Sequence, residues 1–404
     1  MKKKILVLSS TFPRWANDHE PPFVYELSSR LTDQYDVHVL APHTSGSKID
    51  EKILNLTVHR FKYAPERFET LAYNGGISTN LRLHPLRYIL VFPFILAELF
   101  SALRIARKEK IDLIHAHWII PQGLVAIIAS ALVRKHPATL ITAHGADVFT
   151  RQGTLTSALK QFILNRCDHL TVVSQGMAEA VQELKPECNI DIIPMGTDLT
   201  QTFTPDDSKR TKPQLVFVGR LVEKKGVKYL IDAFQQLNSL YPDLGLIIVG
   251  HGPEKDSLQK YAHTLGISEN VQFTGGLPQE DIPAYLQQSS VAVFPFIQAE
   301  DGDQEGFGLV LVESMGCGCA TLTTDLPAVR DIISDRVTGL FIGEKNSNEI
   351  AARVSELLEN NVLRENLSKN GRNYVVRNFD WSVIAKSYIR VIACLLHKQI
   401  DYHE

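Results

Sequence analysis

The sequence predicts an α/β protein built from two doubly wound, Rossmann-like domains that face a central cleft. Three observations carry this expectation. Short aliphatic runs alternate with longer helical patterns along the whole chain, as parallel strands covered by helices on both faces require. The runs fall into two series separated by a polar, proline-bearing stretch at 204–213. The length of 404 residues is also more than one ordinary domain holds.

The first series places strands at 5–8, 37–40, 113–115, 140–142 and 170–173. The second places them at 215–218, 246–249, 271–274, 291–294 and 320–323, with helical patterns such as 227–240 and 282–288 between. From about 350 to 398 the pattern is helical and carries no catalytic motif. These signals divide the chain into a first domain over 1–203, a second over 204–375, and a helical segment over 376–404 that packs back on the first. Open doubly wound sheets bind ligands beyond the carboxyl ends of their strands, so the cleft between the two units is the expected site.

A net charge of -3 gives no basis for a nucleic-acid partner, because polyanion binding needs a basic surplus. The five cysteines are scattered and form no Cys-x-x-Cys pair, so Cys317 and Cys319 read as small structural residues. Only four aliphatic residues, Ile5 to Leu8, follow the basic start, whereas a secretory leader needs roughly 7–15. That start reads as a buried strand, and the expected location is cytoplasmic. From Tyr88 to Leu103 the chain is almost continuously apolar, with Arg82 and Arg87 before it and Arg104, Arg107, Lys108 and Lys110 after it. At about 16 residues the run falls short of the roughly 20 needed to span a bilayer. Two readings fit: a buried helix on the sheet, or an interfacial helix holding the protein to the inner face of a membrane through 82–110.

The chemistry concentrates in the second unit. Strand residues 216–218 lead to Gly219 and Arg220, then to Lys224, Lys225 and Gly226. Glycine lets the backbone approach an anion, a helix N-terminus favours it, and Arg220 and Lys225 supply mobile positive charge. Farther on, Glu305-Gly306-Phe307-Gly308-Leu309 opens a helix that continues to Glu313. Such an opening leaves backbone N–H groups free. Eight residues of helical rise separate Glu305 from Glu313 by about 12 Å. Paired carboxylates of a glycosidase stand only about 5–10 Å apart, which disfavours that chemistry. The apolar neighbours of Glu313 predict a buried carboxylate in need of a partner.

In order along the chain, Gly219-Arg220-x(4)-Lys225-Gly226, Gly250-His251-Gly252-Pro253-Glu254, Phe273-x-Gly275 and Glu305-x(7)-Glu313 resemble the retaining glycosyltransferases of the GT-B fold, family four, or group 1. The likeness spans essentially the whole chain and is densest from 214 to 343. It implies a nucleotide-sugar donor, a UDP-sugar or GDP-sugar, with no cofactor or metal required. Arg220 and Lys225 would hold the diphosphate, Glu313 the ribose hydroxyls, and Glu305 the sugar. Gly219, Gly250 and Gly252 are donor-binding positions, and the N–H groups of Phe307, Gly308 and Leu309 would contact sugar hydroxyls or phosphate. The first domain would take a glycan or lipid-linked acceptor. The family's active-site histidine matches His144 in Thr142-Ala143-His144-Gly145-Ala146-Asp147, where Asp147 would orient its ring or approach the acceptor. His115, His117 and Trp118 follow another strand; acceptor contacts or satisfied structural histidines fit them better than a metal site, since no third ligand is evident.

Two departures stand out. Where family members often carry a glycine pair after the first strand, this chain has Pro22 and Phe23. Asp301-Gly302-Asp303 imitates the metal motif of the other major glycosyltransferase fold, and a solvated acidic loop is the expectation there. A nucleotide-sugar epimerase or hydrolase would need no acceptor, and a non-catalytic nucleotide-sugar sensor would need no His144. A dinucleotide oxidoreductase lacks its Gly-x-Gly-x-x-Gly after the first strand.

Overall fold

The computed structural model describes residues 2–401 other than 16, 17, 19, 21, 74, 150–152 and 301. Eight strands form the first sheet: β1 (Lys4–Leu8), β2 (Asp36–Pro42), β3 (Asp50–Ile53), β4 (Leu56–Phe61), β5 (Leu113–His117), β6 (Ala138–Ala143), β7 (His169–Val172) and β8 (Asn189–Ile192). Their order is β3-β4-β2-β1-β5-β6-β7-β8, parallel throughout except for the β3/β4 pair. The second sheet holds β9 (Gln214–Val218), β10 (Gly245–Val249), β11 (Val271–Gly275), β12 (Val291–Phe294), β13 (Ala320–Thr324) and β14 (Leu340–Ile342). It runs β11-β10-β9-β12-β13-β14, entirely parallel. Each order reverses direction beside its first strand, at β1/β5 and at β9/β12. Both switch points open toward the same cleft.

The central strands form because their residues are apolar on both faces and covered on both: all of β5, β6, β9, β12 and β13 is buried. The strands that the apolar runs leave out, β3, β4, β8 and β14, lie toward or at the sheet edges. β3 is charged at three of its four positions, β8 alternates polar and apolar residues, and β14 has only three residues, so none leaves a continuous apolar signature.

The helix Trp381–Asp401 returns to the first sheet, where Trp381, Ile384, Tyr388, Val391, Ile392 and Leu395 share a core with Ile5, Val7, Val37 and Val39. Their spacing of three and four residues puts them on one helical face. Where the chain crosses between sheets, Thr197 donates its N–H to Phe379 O and accepts that of Trp381. The Asp380 carboxylate accepts the N–H of Leu199, and the Arg372 guanidinium caps the carbonyls of Leu199, Phe203 and Gly316. Both crossings are thereby tied into one hinge.

Between β4 and β5, a 3-10 turn over Pro85–Leu90 runs straight into the helix Val91–Glu109. One face of that helix is in the core, with Phe94 edge-on to Phe61 and Tyr63. Glu98 sits on the same face, fully buried, with the Gln122 side-chain amide its one hydrogen-bond partner among the described residues, 3.3 and 3.4 Å from its oxygens. Burial pushes its carboxyl up to about 8, against an ordinary 4.5. Above pH 4.5 the unfolded chain releases a proton that the fold retains, so Glu98 lowers stability progressively as the pH rises toward 8. Glu98→Gln keeps the shape and removes the acid. It is expected to melt above the wild type at pH 8 and level with it at pH 5 in calorimetric scans; equal melting at both would contradict a buried carboxyl.

Candidate active site

The second sheet contributes the charged half of the cleft. β9 ends at Val218, and the turns after β9 and β10 lie against each other: a Cβ on Gly250 would stand 1.8 Å from Gly219 O. Only glycine permits that approach. Leu221 and His251 continue it through a backbone hydrogen bond of 2.8 Å, and a Cβ on Gly252 would stand 2.2 Å from Leu221 O, so Gly219, Gly250 and Gly252 share one packed floor. From it rises the short turn Glu223–Lys225. Lys225 Nζ lies 2.5 Å from Glu305 Oε2 and 4.5 Å from the centre of the Phe296 ring. Lys224 is engaged elsewhere, 3.1 Å from Asp303 Oδ1 and 3.2 Å from Gln304 O. Arg220 leans across the cleft, and its Nη1 donates to Gly75 O of the first domain at 3.4 Å. Asp303 is thus paired with a lysine, while Asp301 of the acidic motif lies outside the described residues.

Glu305 and Glu313 are both desolvated, and their surroundings drive them apart. Burial raises the Glu305 carboxyl, but Lys225 and Lys224 outweigh it and hold it down at about 2. Burial raises Glu313 to about 8, opposed only by Gln279, whose Nε2 lies 3.4 Å away. At neutral pH one is a carboxylate and the other is mostly a protonated acid. Glu305 precedes the helix Leu309–Gly316 in an irregular loop, so the separation estimated from helical rise does not apply between these two residues. Gly308, with φ +87°, turns the chain into that helix. Phe307 buries its ring against Phe379. Among the described residues the N–H groups of Phe307, Gly308 and Leu309 have no backbone acceptor outside the helix.

The first sheet contributes the aromatic half. His115 and His117 project from the same face of β5, with ring centres 4.4 Å apart. His115 Nε2 is 2.7 Å from Thr142 Oγ1, and His117 Nδ1 is 2.9 Å from Nε2 of His144, just past the end of β6. His144 is walled by Phe23, Trp118 and His117 at ring-centre distances of 4.9, 5.0 and 5.1 Å. Burial pushes the His115 and His144 imidazoles down to about 3, and His117 well below its ordinary range. The pair 117/144 is therefore neutral and shares one N–H···N bond, leaving His144 as a hydrogen-bonding group rather than an acid. Asp147 does not orient the His144 ring. Its carboxylate accepts the backbone N–H groups of His144, Gly145 and Ile119, each at 3.0 Å, and so pins the two strand ends together.

The halves meet at Gly306. A Cβ there would stand 2.7 Å from His144 O and 2.9 Å from Gly145 Cα. Ser174 Oγ donates to Gly306 O at 2.9 Å, and Asp331 accepts the N–H of Gln175 at 2.6 Å. His144 is thereby brought against the loop that carries Glu305, with Lys225 on its far side. Phe23 joins the site at the position where the family's glycine pair stands, while Gly75, Ser174 and Gln279 join it without any signal in the sequence, because each is recognisable only by what lies opposite. The arrangement sets two cations and unpaired backbone donors beside an ionised carboxylate, a protonated one and a neutral imidazole.

A family model for Glycosyl transferases group 1 matches residues 200–374, and one for Glycosyltransferase Family 4 matches residues 22–201. The GDP-mannose-dependent alpha-(1-6)-phosphatidylinositol monomannoside mannosyltransferase of Mycolicibacterium smegmatis is 28% identical over 342 residues, 81% of this chain and 87% of that protein. N-acetyl-alpha-D-glucosaminyl L-malate synthase of Bacillus anthracis is 25% identical over 307 residues, 73% of this chain and 78% of its own length. Sucrose-phosphate synthase from Thermosynechococcus elongatus superimposes with a TM-score of 0.81 at 20% identity, covering 98% of this chain and 100% of that one. Anabaena Alr3699/HepE in complex with UDP gives 0.74 at 18% identity, over 98% and 100%. At these identities the two structures speak for the shared fold.

The Gly306 contact leads to a direct test. Gly306→Ala forces the two halves apart at the His144 carbonyl and is expected to lower turnover at least tenfold while the melting temperature changes by only a few degrees. Wild-type turnover in that variant would show that the contact is dispensable.

Proposed function

Because this chain belongs to the family-four glycosyltransferases of the GT-B fold, we propose that it is a hexosyltransferase that moves a sugar from a nucleotide diphosphate to an acceptor hydroxyl with retention at the anomeric carbon. The observation that carries this reading is the contact of Gly306 with His144, which leaves one cleft lined by Lys225, Glu305 and a neutral imidazole. In the proposed complex the diphosphate lies against Arg220, Lys225 and the floor at Gly219, Gly250 and Gly252. The ribose diol donates to Glu313, and the sugar sits between Glu305, the N–H groups of Phe307, Gly308 and Leu309, and His144.

Each part has a physical task. Negative charge grows on the diphosphate as the glycosidic bond breaks, and preorganised cations and helix N–H groups stabilise it most in that state. Lys225 is already desolvated and neutralised by Glu305, so an arriving phosphate replaces one partner of an existing pair instead of stripping water from a free cation. His144, held neutral, offers a hydrogen bond to a sugar hydroxyl without adding a positive charge that would oppose an oxocarbenium-like state. Neither Glu313, committed to the ribose, nor neutral His144 serves as a strong base. The departing phosphate oxygen then takes the acceptor proton on the same ring face, which is how retention arises. The positive charge comes from side chains and backbone, so the reading requires no resident metal.

For the donor we propose a UDP-sugar or a GDP-sugar, on the ground that one relative is named for GDP-mannose and one structural neighbour was solved with UDP. For the acceptor we propose a glycan or lipid-linked glycan of polysaccharide, lipopolysaccharide or glycolipid synthesis, on the cytoplasmic side of the membrane. The test is proton NMR of the first turnovers with a donor of known anomeric configuration, run beside Lys225→Ala. The reading predicts a product of the donor's own configuration, and a loss of kcat of at least a hundredfold in the variant with the fold intact. An inverted product, or near-normal turnover by Lys225→Ala, would contradict it.

A further inference from the structure

The helix Val91–Glu109 and the turn Pro85–Leu90 before it form 25 residues that are long and apolar enough by composition to cross a membrane. The fold does not allow it to cross. Phe94, Glu98, Ala102, Leu103, Ile105 and Ala106 are locked in the core of the first domain, and Glu98 reaches Gln122 from there. Crossing would strip every one of these contacts. The opposite face is bare: Leu86 is 90% exposed, Ile89 79%, Phe92 70% and Phe100 66%. Scattered exposed apolar residues are ordinary, whereas a contiguous row of large ones marks a surface that something covers.

The order of residues along the row identifies the cover. Phe92 and Phe100 lie two turns apart on the helix, Ile89 is exposed in the turn just before it, and Arg104, Arg107 and Lys108 follow toward the helix end, all exposed. Tyr88, 64% exposed, stands at its beginning, with Arg82 exposed one short helix earlier. Between residues 82 and 108 the sequence holds four arginines and one lysine but a single acid, Glu98, and that acid is turned inward. A protein partner built on an apolar patch needs no such one-sided charge. An anionic bilayer does: apolar side chains enter the acyl boundary, the aromatic ring sits among the headgroups, and the cations meet lipid phosphates.

We propose that residues 83–108 are a docking surface for an anionic lipid bilayer, on which the helix lies in the interface without spanning it. The surface is joined to the catalytic cleft. The helix Gly76–Leu83 leads into it directly, and it starts beside Gly75, whose carbonyl accepts from Arg220. Docking therefore opens the cleft at the membrane, where a lipid-linked acceptor is held. The surface itself does not depend on the proposed donor chemistry, so the two are separable by experiment.

The test is co-sedimentation of the full chain with vesicles of phosphatidylcholine containing 30% phosphatidylglycerol, against phosphatidylcholine alone, for wild type, the double variant Ile89→Glu/Phe92→Glu and the charge variant Arg104→Glu/Lys108→Glu. Nucleotide-sugar binding and thermal melting, recorded on all three, show that the cleft and fold are unchanged. The expected result is wild-type binding to the anionic vesicles at least tenfold tighter than to neutral ones, with a tenfold or greater loss in each variant. No binding of wild type to anionic vesicles would overturn the proposal, as would undiminished binding by the double variant. A wild-type dimer in sedimentation velocity that the double variant converts to monomer would also overturn it, by assigning the surface to a second copy of the chain.

Discussion

The site rests on the pairing of Lys225 with Glu305. Both side chains are largely out of water, and isolated ions there would be too costly to keep, so each is the condition for the other's charge. Together with Lys224, which reaches Asp303 and Gln304 O, the pair joins two pieces of backbone: the turn after β9 and the loop before the helix Leu309–Gly316. Gly306 follows Glu305 directly and presses against the His144 carbonyl. The ion pair therefore sets where the first domain meets the second. Glu313 has no lysine beside it, and burial outweighs its one hydrogen bond from Gln279, which is why two glutamates eight positions apart end in opposite protonation states.

Around this pair, the architecture reduces to holding two switch points face to face. The parallel sheets aim their strand ends at one cleft, and the hinge through Thr197, Asp380 and Arg372 ties both crossings of the chain to the same place. The C-terminal helix completes the core of the first sheet, and Tyr388 stacks near His115 under the histidine pair. Packing of the tail thus supports the histidines of the first domain, although it lies more than half the length of the chain away from them.

Much of this was legible before the structure. Most of the ten predicted strands announce themselves as apolar runs because they are buried on both faces, with β11 at a sheet edge the exception; Gly219, Arg220 and Lys225 stand out as charge beside glycine after a strand, and Glu305 and Glu313 as acids flanking a glycine-rich turn and an apolar helix. Edge strands such as β3 and β8 escape, since half of their residues face water. Long-range partners escape as well. Nothing within reach of Lys225 along the chain hints that its counterion lies eighty positions on, and nothing at Phe23 or Gly75 hints at an imidazole or an arginine opposite. Asp147 was legible as important, but the His144 ring is not its partner, because a carboxylate after a strand end serves backbone N–H groups as readily as a neighbouring ring. The segment 82–110 admitted a buried and an interfacial reading, and the structure gives it one buried face and one exposed face.

The central claim is that a nucleotide-sugar binds with its ribose on a Glu313 that is protonated until the donor arrives. Hydroxyls donating to that side chain favour its charged form, so binding at pH 7 must expel about one proton from a group that otherwise titrates near 8. Calorimetric titration of a panel of UDP- and GDP-sugars, in two buffers of different ionisation enthalpy, measures this directly on the wild type and on Glu313→Ala. The account predicts that one donor binds with release of close to one proton, and that the variant binds it at least tenfold more weakly with no release. Absence of binding across the panel, or binding without proton release that Glu313→Ala leaves unchanged, would contradict it.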